Sequence, residues 1–201
     1  MIWIMQRIGI FGGTFDPLHN AHLILAQEAL ESGGLDRLLV VPAWQSPHKG
    51  DRPGMRDELR LELLQQHLGT LPSVEILDLE IRLGRSSFTF ETLRALRIQH
   101  PEDLLVFLLG SDSLHELHTW KNPEELASLA HFLVAPRPGF QPEALPGPVT
   151  QIPGLEFEVM ASTEVAISST LIRERVASGL GLRGFVPEAV ENAILKTRCY
   201  A

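Results

Sequence analysis

The residues best suited to chemistry are two histidines, His19 and His22, which follow the glycine-rich stretch Gly-Gly-Thr-Phe-Asp-Pro at 12–17. They are three positions apart, so both rings can face one ligand if the segment is helical. The glycines carry no Cβ, which lets backbone N–H groups approach a ligand closely. The N-terminus of the following helix attracts negative charge. The stretch therefore predicts a site for an anion such as a phosphate group.

A second candidate lies near the other end of the chain, where Ser168, Ser169 and Thr170 precede Arg173. Hydroxyls at a helix start lie beside unpaired backbone N–H groups, and an arginine one turn later can form a phosphate clamp with them. Taken alone, the same pattern also fits an ordinary Ser/Thr helix cap with a solvated arginine. The segment by itself leaves both interpretations open.

Strands and helices must hold these residues in position. Along the chain, short apolar runs typical of strands alternate with segments whose apolar residues have helical spacing. The predicted strands are 8–11, 36–41, 74–79, 104–109, 131–135 and 156–160, and the predicted helices after the first turn are 55–68, 89–98, one from 122, 168–177 and 187–196. Segments 82–87 and 137–154 are predicted to be loops, the second on the surface. This alternation predicts α/β architecture with one doubly wound, Rossmann-like parallel sheet. Such sheets bind ligands beyond the carboxyl ends of their strands.

Composition narrows the classes of protein to consider. At 201 residues the chain is long enough for one α/β domain, 1–201, in which 1–6 could be extra N-terminal residues. The net charge of −8 gives no general attraction to nucleic acid or to an acidic membrane, so neither is expected as a partner. The single cysteine, Cys199, excludes a disulfide within the chain and a cysteine metal cage, and it fits a reducing cytoplasm. The apolar segment 1–5 is too short for a signal peptide or membrane span, and Met5 is a second candidate start.

The two motifs together resemble those of the HIGH-type nucleotidylyltransferases. In that superfamily the glycine-rich stretch leads to His-x-Gly-His, and Ile-Ser-Ser-Thr-x-Ile-Arg comes later in the chain. Ala21 stands where the superfamily has glycine, and we expect its methyl group to be tolerated. The middle of the chain is similar to the bacterial nicotinate mononucleotide adenylyltransferase family, and the resemblance covers nearly the whole chain. The matching segments are 46–49, 87–93, 110–113, 119–121, 136–139 and 168–173.

The resemblance implies transfer of the adenylyl group of ATP to nicotinate mononucleotide, giving deamido-NAD and pyrophosphate, with Mg²⁺ bound through the ATP phosphates and no metal ligands from the protein. The implied catalytic residues are His19, His22, Lys49 and Arg173. The implied ATP-binding residues are Gly12, Gly13, Thr14, Phe15, His19, His22, Lys49, Arg137, Ser168, Ser169, Thr170 and Arg173. Those implied for nicotinate mononucleotide are Thr14, Thr89, Gly110, Asp112, Trp120 and Lys121. The helical part 168–201 would then complete the ATP site.

Each residue of the middle segments also has an ordinary structural interpretation. Trp120 could fill the core, Lys49 could be solvated, Asp112 could be a turn residue and Thr89 a helix cap. Rival functions are transfer to nicotinamide mononucleotide or another phosphate acceptor, or nucleotide binding without catalysis in a regulatory module. The histidine pair and Arg173 favour an enzyme. The choice between acid and amide acceptor depends on backbone geometry, which the sequence does not fix.

Overall fold

The computed structural model describes residues 5–45, 54–142 and 144–201. Within those ranges the strands are β1 Arg7–Gly13, β2 Arg37–Pro42, β3 Val74–Ile76, β4 Leu104–Gly110, β5 His131–Ala135 and β6 Phe157–Val159. The helices are α1 Asn20–Ser32, α2 Asp57–His67, α3 Leu79–Leu83, α4 Thr89–Gln99, α5 Ser111–His115, α6 Pro123–Leu129, α7 Gly147–Thr150, α8 Ser169–Ala177 and α9 Glu188–Thr197, and a 3₁₀ turn spans Leu117–Thr119. No helix in the described ranges is long and apolar enough to span a membrane.

All the described strands join in one parallel sheet with the order β3-β2-β1-β4-β5-β6. This confirms the predicted doubly wound α/β architecture. The chain proceeds outward from β1 to β3, then returns to pair β4 with the other side of β1. The order reverses between β1 and β4, and the carboxyl ends of these two strands form the crevice in which such sheets bind ligands.

The two faces of the sheet carry separate hydrophobic cores. Ile8 and Ile10 of β1 point to the face that α4 and α6 cover, whereas Phe11 points to the face that α1, α2, α8 and α9 cover. The run 105–109 of β4 is buried throughout, because a central parallel strand has helices on both sides. The C-terminal helices α8 and α9 therefore pack on the same face of the sheet as α1, which begins at the histidines.

Three segments differ from the sequence prediction. The strand predicted at 74–79 ends at Ile76, and the short helix α3 occupies part of the stretch predicted as strand and loop. The segment 137–154 is not entirely a surface loop. Val149 of α7 is completely buried, and Ile152 just after it is almost completely buried, both in the core on the α6 side of the sheet. The third difference is α5, a short helix that begins directly after Gly110. Apolar residues spaced three apart fold α7 inward despite the prolines around it.

Candidate active site

The two histidines lie at the start of α1, where His19 is the N-cap residue. The His19 backbone N–H donates to Nδ1 of His22 at 3.2 Å, and the two imidazoles stack with ring centroids 3.6 Å apart. The His22 ring also contacts the edge of Phe15, 4.9 Å between centroids. Because Nδ1 of His22 is an acceptor, a neutral His22 ring carries its proton on Nε2. The capping contact thereby fixes the direction in which His22 donates.

His19 is nearly inaccessible to solvent, with 2% of its surface exposed. Its Nδ1 is buried and has no hydrogen-bond partner within the described residues. Burial and, to a lesser extent, the positive charge of Arg137 together lower the pKa of His19 to about 4. His19 is therefore neutral at physiological pH. A buried ring nitrogen without a protein partner is the type of group that a ligand can satisfy.

The turn that precedes the histidines is held from beneath by Arg60 of α2. Arg60 is 1% exposed, and its Nη1 donates to the backbone oxygens of Thr14 at 2.6 Å and Ala43 at 2.8 Å. Its Nη2 pairs with Asp57 at 2.8 Å. The guanidinium thus ties together the loops that follow β1 and β2. Phe15, predicted to contact ATP, is 2% exposed and packs in the core on the α1 side of the sheet.

The predicted clamp at the start of α8 docks directly on the turn after β1. Arg173 Nη1 donates to the backbone oxygen of Asp16 at 2.8 Å, and its Nη2 donates to Thr170 Oγ1 at 3.1 Å. Ser169 Oγ donates to the backbone oxygen of Pro17 at 3.0 Å. Ser168 accepts from the Leu171 N–H at 3.1 Å, which is the ordinary helix cap that the sequence left open. The two motifs are therefore adjacent in space, although about 150 residues separate them.

The ends of β4 and β5 bring a further cation toward this region. The Arg137 backbone N–H donates to Ser111 Oγ at 2.8 Å. Gly110 passes so close that a Cβ there would lie 2.3 Å from an Asp112 carboxylate oxygen and 3.2 Å from Arg137 side-chain atoms. Glycine at this position therefore lets the Asp112 and Arg137 side chains lie close to the backbone. Ala21 lines a small cavity that Arg137 also lines, so its methyl group faces the Arg137 side of α1.

A cavity of about 420 Å³ opens at the carboxyl ends of β1 and β4, a size typical of small-molecule sites. Six of the residues predicted for the acceptor or the glycine turn line it. They are Gly12, Gly13, Thr14, Thr89, Asp112 and Trp120. Trp120 packs edge-on against Phe107 with ring centroids 6.1 Å apart. The Trp120 ring is thus both part of the core and a wall of the cavity, which combines the two interpretations that its sequence position allowed.

The inner wall of the cavity holds polar groups that the sequence did not single out. Glu80 of α3 is 9% exposed and accepts a hydrogen bond from Thr92 Oγ1 at 2.6 Å. Burial raises the pKa of the Glu80 carboxyl. The buried Ser87 hydroxyl lies near the Glu80 carboxyl and, like Thr92, partly offsets this rise in pKa. Glu116 also lines the cavity.

Of the residues predicted for the acceptor, Gly110 and Lys121 do not line this cavity. Lys121 is exposed and does not line it, although its neighbour Trp120 does. Lys49 lies outside the described residues. Within the described ranges no group of three or more His, Cys, Asp or Glu side chains is arranged to hold a metal ion.

Arg60 is the structural residue that sequence reasoning could have found. It lies three and four positions before Leu63 and Leu64, so helical spacing places it on the buried face of α2. A charged residue on such a face indicates a buried, paired charge. For Glu80 no comparable signal exists, because the segment was predicted to be extended or looped.

The fold and these contacts define a nucleotide-binding α/β protein with its crevice at the switch point of the sheet. The sequence profile of the cytidylyltransferase-like family matches residues 10–175. Similar relatives include a protein named "Probable nicotinate-nucleotide adenylyltransferase" of Opitutus terrae, which is 40% identical over 90% of this chain and 91% of its own. Its namesake in Geobacillus thermodenitrificans is 40% identical over 92% of this chain and 82% of its own. The chain therefore belongs to the cytidylyltransferase-like family and, within it, to the nicotinate-nucleotide adenylyltransferases, which confirms the predicted resemblance.

The fold has solved counterparts as well. The structure of Plasmodium falciparum nicotinic acid mononucleotide adenylyltransferase complexed with NaAD superimposes with a TM-score of 0.81, at 19% identity and with 97% of each chain covered. A Vibrio parahaemolyticus structure named "Putative Nicotinate-nucleotide Adenylyltransferase" gives a TM-score of 0.67 at 18% identity, with 98% of this chain and 96% of its own covered. At these identities the likeness concerns the fold alone.

Proposed function

We propose that the protein transfers the adenylyl group of ATP to nicotinate mononucleotide, releasing pyrophosphate and forming deamido-NAD. The observation that carries the proposal is the position of the turn at 12–14. It lines the acceptor-sized cavity on one side and leads into the stacked histidines and the α8 clamp on the other. A nucleoside triphosphate and a mononucleotide could therefore meet across this turn. The activity in the names of the relatives, at about 40% identity, agrees with that arrangement.

The reaction requires no covalent intermediate on the protein. A phosphate oxygen of the acceptor attacks the α-phosphorus of ATP, the bond to the β-phosphate oxygen breaks, and pyrophosphate leaves. The acceptor phosphate is ionised at neutral pH, so no general base is needed. The work of the protein is then to align the two phosphates and to stabilise the charge that develops on their oxygens.

His19 and His22 are the proposed donors to the reacting phosphates. Both rings lie at the N-terminus of α1, where the helix dipole adds positive potential. A neutral His19 has one N–H to give, and the capping contact places the proton of neutral His22 on Nε2. Arg173 and Thr170 are proposed to hold the terminal phosphates, with Lys49 contributing from the part of the chain between the described ranges. In this proposal 168–201 completes the ATP side of the site.

Mg²⁺ enters the proposal as part of the substrate, because ATP is used as its magnesium complex. The ion would bridge phosphate oxygens and keep most of its water ligands, as Mg²⁺ does in many phosphoryl-transfer sites. We also propose that the enzyme works in the cytoplasm, which its single cysteine suits.

The test is pyrophosphate release by the purified protein with MgATP and nicotinate mononucleotide, with deamido-NAD identified by mass. Omission of the acceptor is the control for simple ATP hydrolysis. Nicotinamide mononucleotide is assayed in parallel, and the ratio of kcat/KM for acid and amide decides the acceptor. A ratio above about 10 is expected for the acid. Release of pyrophosphate with the amide alone would move the assignment to the sister reaction, and no release with either would contradict the proposal.

A further inference from the structure

Tyr200, which follows α9, reaches back to the turn after β1. Its hydroxyl donates a hydrogen bond to Asp16 Oδ1. Its ring lies against Gly54, where a Cβ would come within 2.7 Å of the Tyr200 ring. The contact spans 184 positions of the chain. Neither motif used in the proposed function includes Tyr200, so its role is not explained by them.

Asp16 is the point at which several parts of the site meet. Its side chain is almost buried, with 7% of the residue exposed. Oδ1 accepts from the Met55 N–H at 3.0 Å, Oδ2 accepts from the Gly54 N–H at 2.9 Å, and the backbone oxygen accepts from Arg173. A buried carboxylate needs this many donors, because an unpaired charge away from water is costly. One residue therefore ties the start of the α2 segment and the α8 clamp to the turn that leads into the histidines.

The Tyr200 hydroxyl is the only side-chain donor to the Asp16 carboxylate among the described residues. Burial and the bond to Asp16 raise the pKa of the phenol well above its ordinary value, so it remains a donor at any pH at which the protein would work. Without it the carboxylate keeps two backbone donors, and the Asp16 side chain is held less firmly. Because Asp16 lies three positions before His19, a shift there displaces the phosphate-binding side chains.

We propose that Tyr200 is a positioning residue for the ATP side of the site and that it acts through Asp16. The inference rests on the proposed function for its substrate. Its contacts are with Asp16 and Gly54, whereas the acceptor cavity is lined by the other side of the sheet crevice, including Thr89 and Trp120. The effect of losing the hydroxyl should therefore fall on ATP and on turnover, and it should spare acceptor binding.

The first experiment compares wild type with Tyr200→Phe, which keeps the ring against Gly54 and removes only the hydroxyl. We expect kcat/KM for ATP to fall about 3- to 30-fold, less than the full loss of a hydrogen bond to a charged group, because Tyr200 acts on ATP only through the position of Asp16. The KM for the acceptor should change less than about twofold. Thr197→Val is the matched control, because that hydroxyl lies on the same segment and bonds to Ala193 and Cys199. Equal losses for both substrates, or no loss in a folded Tyr200→Phe, would overturn the proposal.

The second experiment asks whether the effect passes through Asp16. In an Asp16→Asn background, adding Tyr200→Phe should lower kcat/KM for ATP by less than about twofold, because the partner of the hydroxyl is already altered. A full additional loss would show that Tyr200 acts by another route. If Tyr200→Phe fails to fold, Tyr200→His and Tyr200→Leu take its place. The histidine keeps a ring donor and should exceed the leucine by at least about threefold in kcat/KM for ATP, and equal values would contradict the proposal.

A binding measurement separates this inference from the proposed function. Calorimetric titration with MgATP alone requires no acceptor and no turnover. Tyr200→Phe should bind MgATP about 3- to 30-fold more weakly than wild type and Thr197→Val should match wild type. If wild type binds MgATP but produces no deamido-NAD, the proposed function fails while the test of Tyr200 still stands. Unchanged MgATP affinity together with unchanged turnover in Tyr200→Phe would remove Tyr200 from the site.

Discussion

Replacement of His22 by alanine separates the structural and the chemical parts of the proposed site. The ring of His22 accepts one backbone hydrogen bond, stacks on His19 and contacts the edge of Phe15. The hydrogen bond contributes about 0.5–1.5 kcal/mol to stability. The aromatic contacts add about as much again. His22→Ala should therefore lower the free energy of unfolding by about 1–3 kcal/mol, a loss that a folded domain can tolerate.

The chemical loss should be larger and should appear in kcat. If Nε2 of His22 donates to a phosphate oxygen mainly in the transition state, its removal costs about 10²- to 10³-fold in kcat, the scale for one lost transition-state donor. The KM for ATP should change much less, because an interaction made only in the transition state does not contribute to ground-state binding.

The assay is pyrophosphate release at saturating MgATP and nicotinate mononucleotide, with urea unfolding of each variant beside it. Ala21→Gly is the matched control. It changes the neighbouring residue in the same helical turn to the family's glycine, and we expect its kcat to stay within about threefold of wild type. If His22→Ala is folded and turns over at the wild-type rate, His22 has no part in the chemistry and the donor role fails with it.

Three further results are expected. Arg60→Met should destabilise the protein by about 3–5 kcal/mol in urea unfolding, because the two backbone oxygens and Asp57 lose a buried charged partner; a loss under 1 kcal/mol would contradict the role of Arg60. His19 has a pKa lowered from 6.5 to about 4, so the unfolded chain binds its proton first as the pH falls. Wild type should therefore lose about 3 kcal/mol of stability between pH 7 and pH 4 relative to His19→Gln, at about 1.4 kcal/mol per pKa unit. If the free energy of unfolding has the same pH dependence in both proteins, the pKa of His19 is not lowered. Trp120→Ala should raise the acceptor KM about tenfold and leave the KM for ATP unchanged, since Trp120 lines the proposed acceptor cavity; a change in the KM for ATP alone would exclude a role of Trp120 in acceptor binding.

The sequence predicts those parts of the fold that local pattern determines. β4 is a continuous apolar run, and such runs form buried central strands. The turn before α1 carries its own signals in glycine and proline. The adjacency of the two anion motifs is implied by the resemblance to the nucleotidylyltransferases and by neither segment alone. The strand and the turn, in contrast, depend only on the residues of one segment.

The contacts that hold the site together are of another kind. Arg60 is buried because two loops from different strands direct their carbonyl oxygens at it. Tyr200 likewise depends on a distant partner, because its hydroxyl donates to Asp16 at the opposite end of the chain. α7 lies inward because Val149 packs in the hydrophobic core on the α4 and α6 side of the sheet. In each case the sequence alone is compatible with an exposed residue. The residue is buried because its partner comes from a distant part of the chain.

The arginines nearest the turn after β1 are occupied by backbone oxygens. Arg60 holds Thr14 and Ala43, and Arg173 holds Asp16. Meanwhile His19 is kept neutral by burial. In the proposed reaction the phosphates therefore meet donors that are already fixed in place, namely the neutral imidazole of His19 and the guanidinium of Arg173, which its bond to the Asp16 backbone holds in position. Fixed donors stabilise developing charge without reorganising. The proposed site thus relies on rigid alignment of a few donors, in a chain whose net charge is −8.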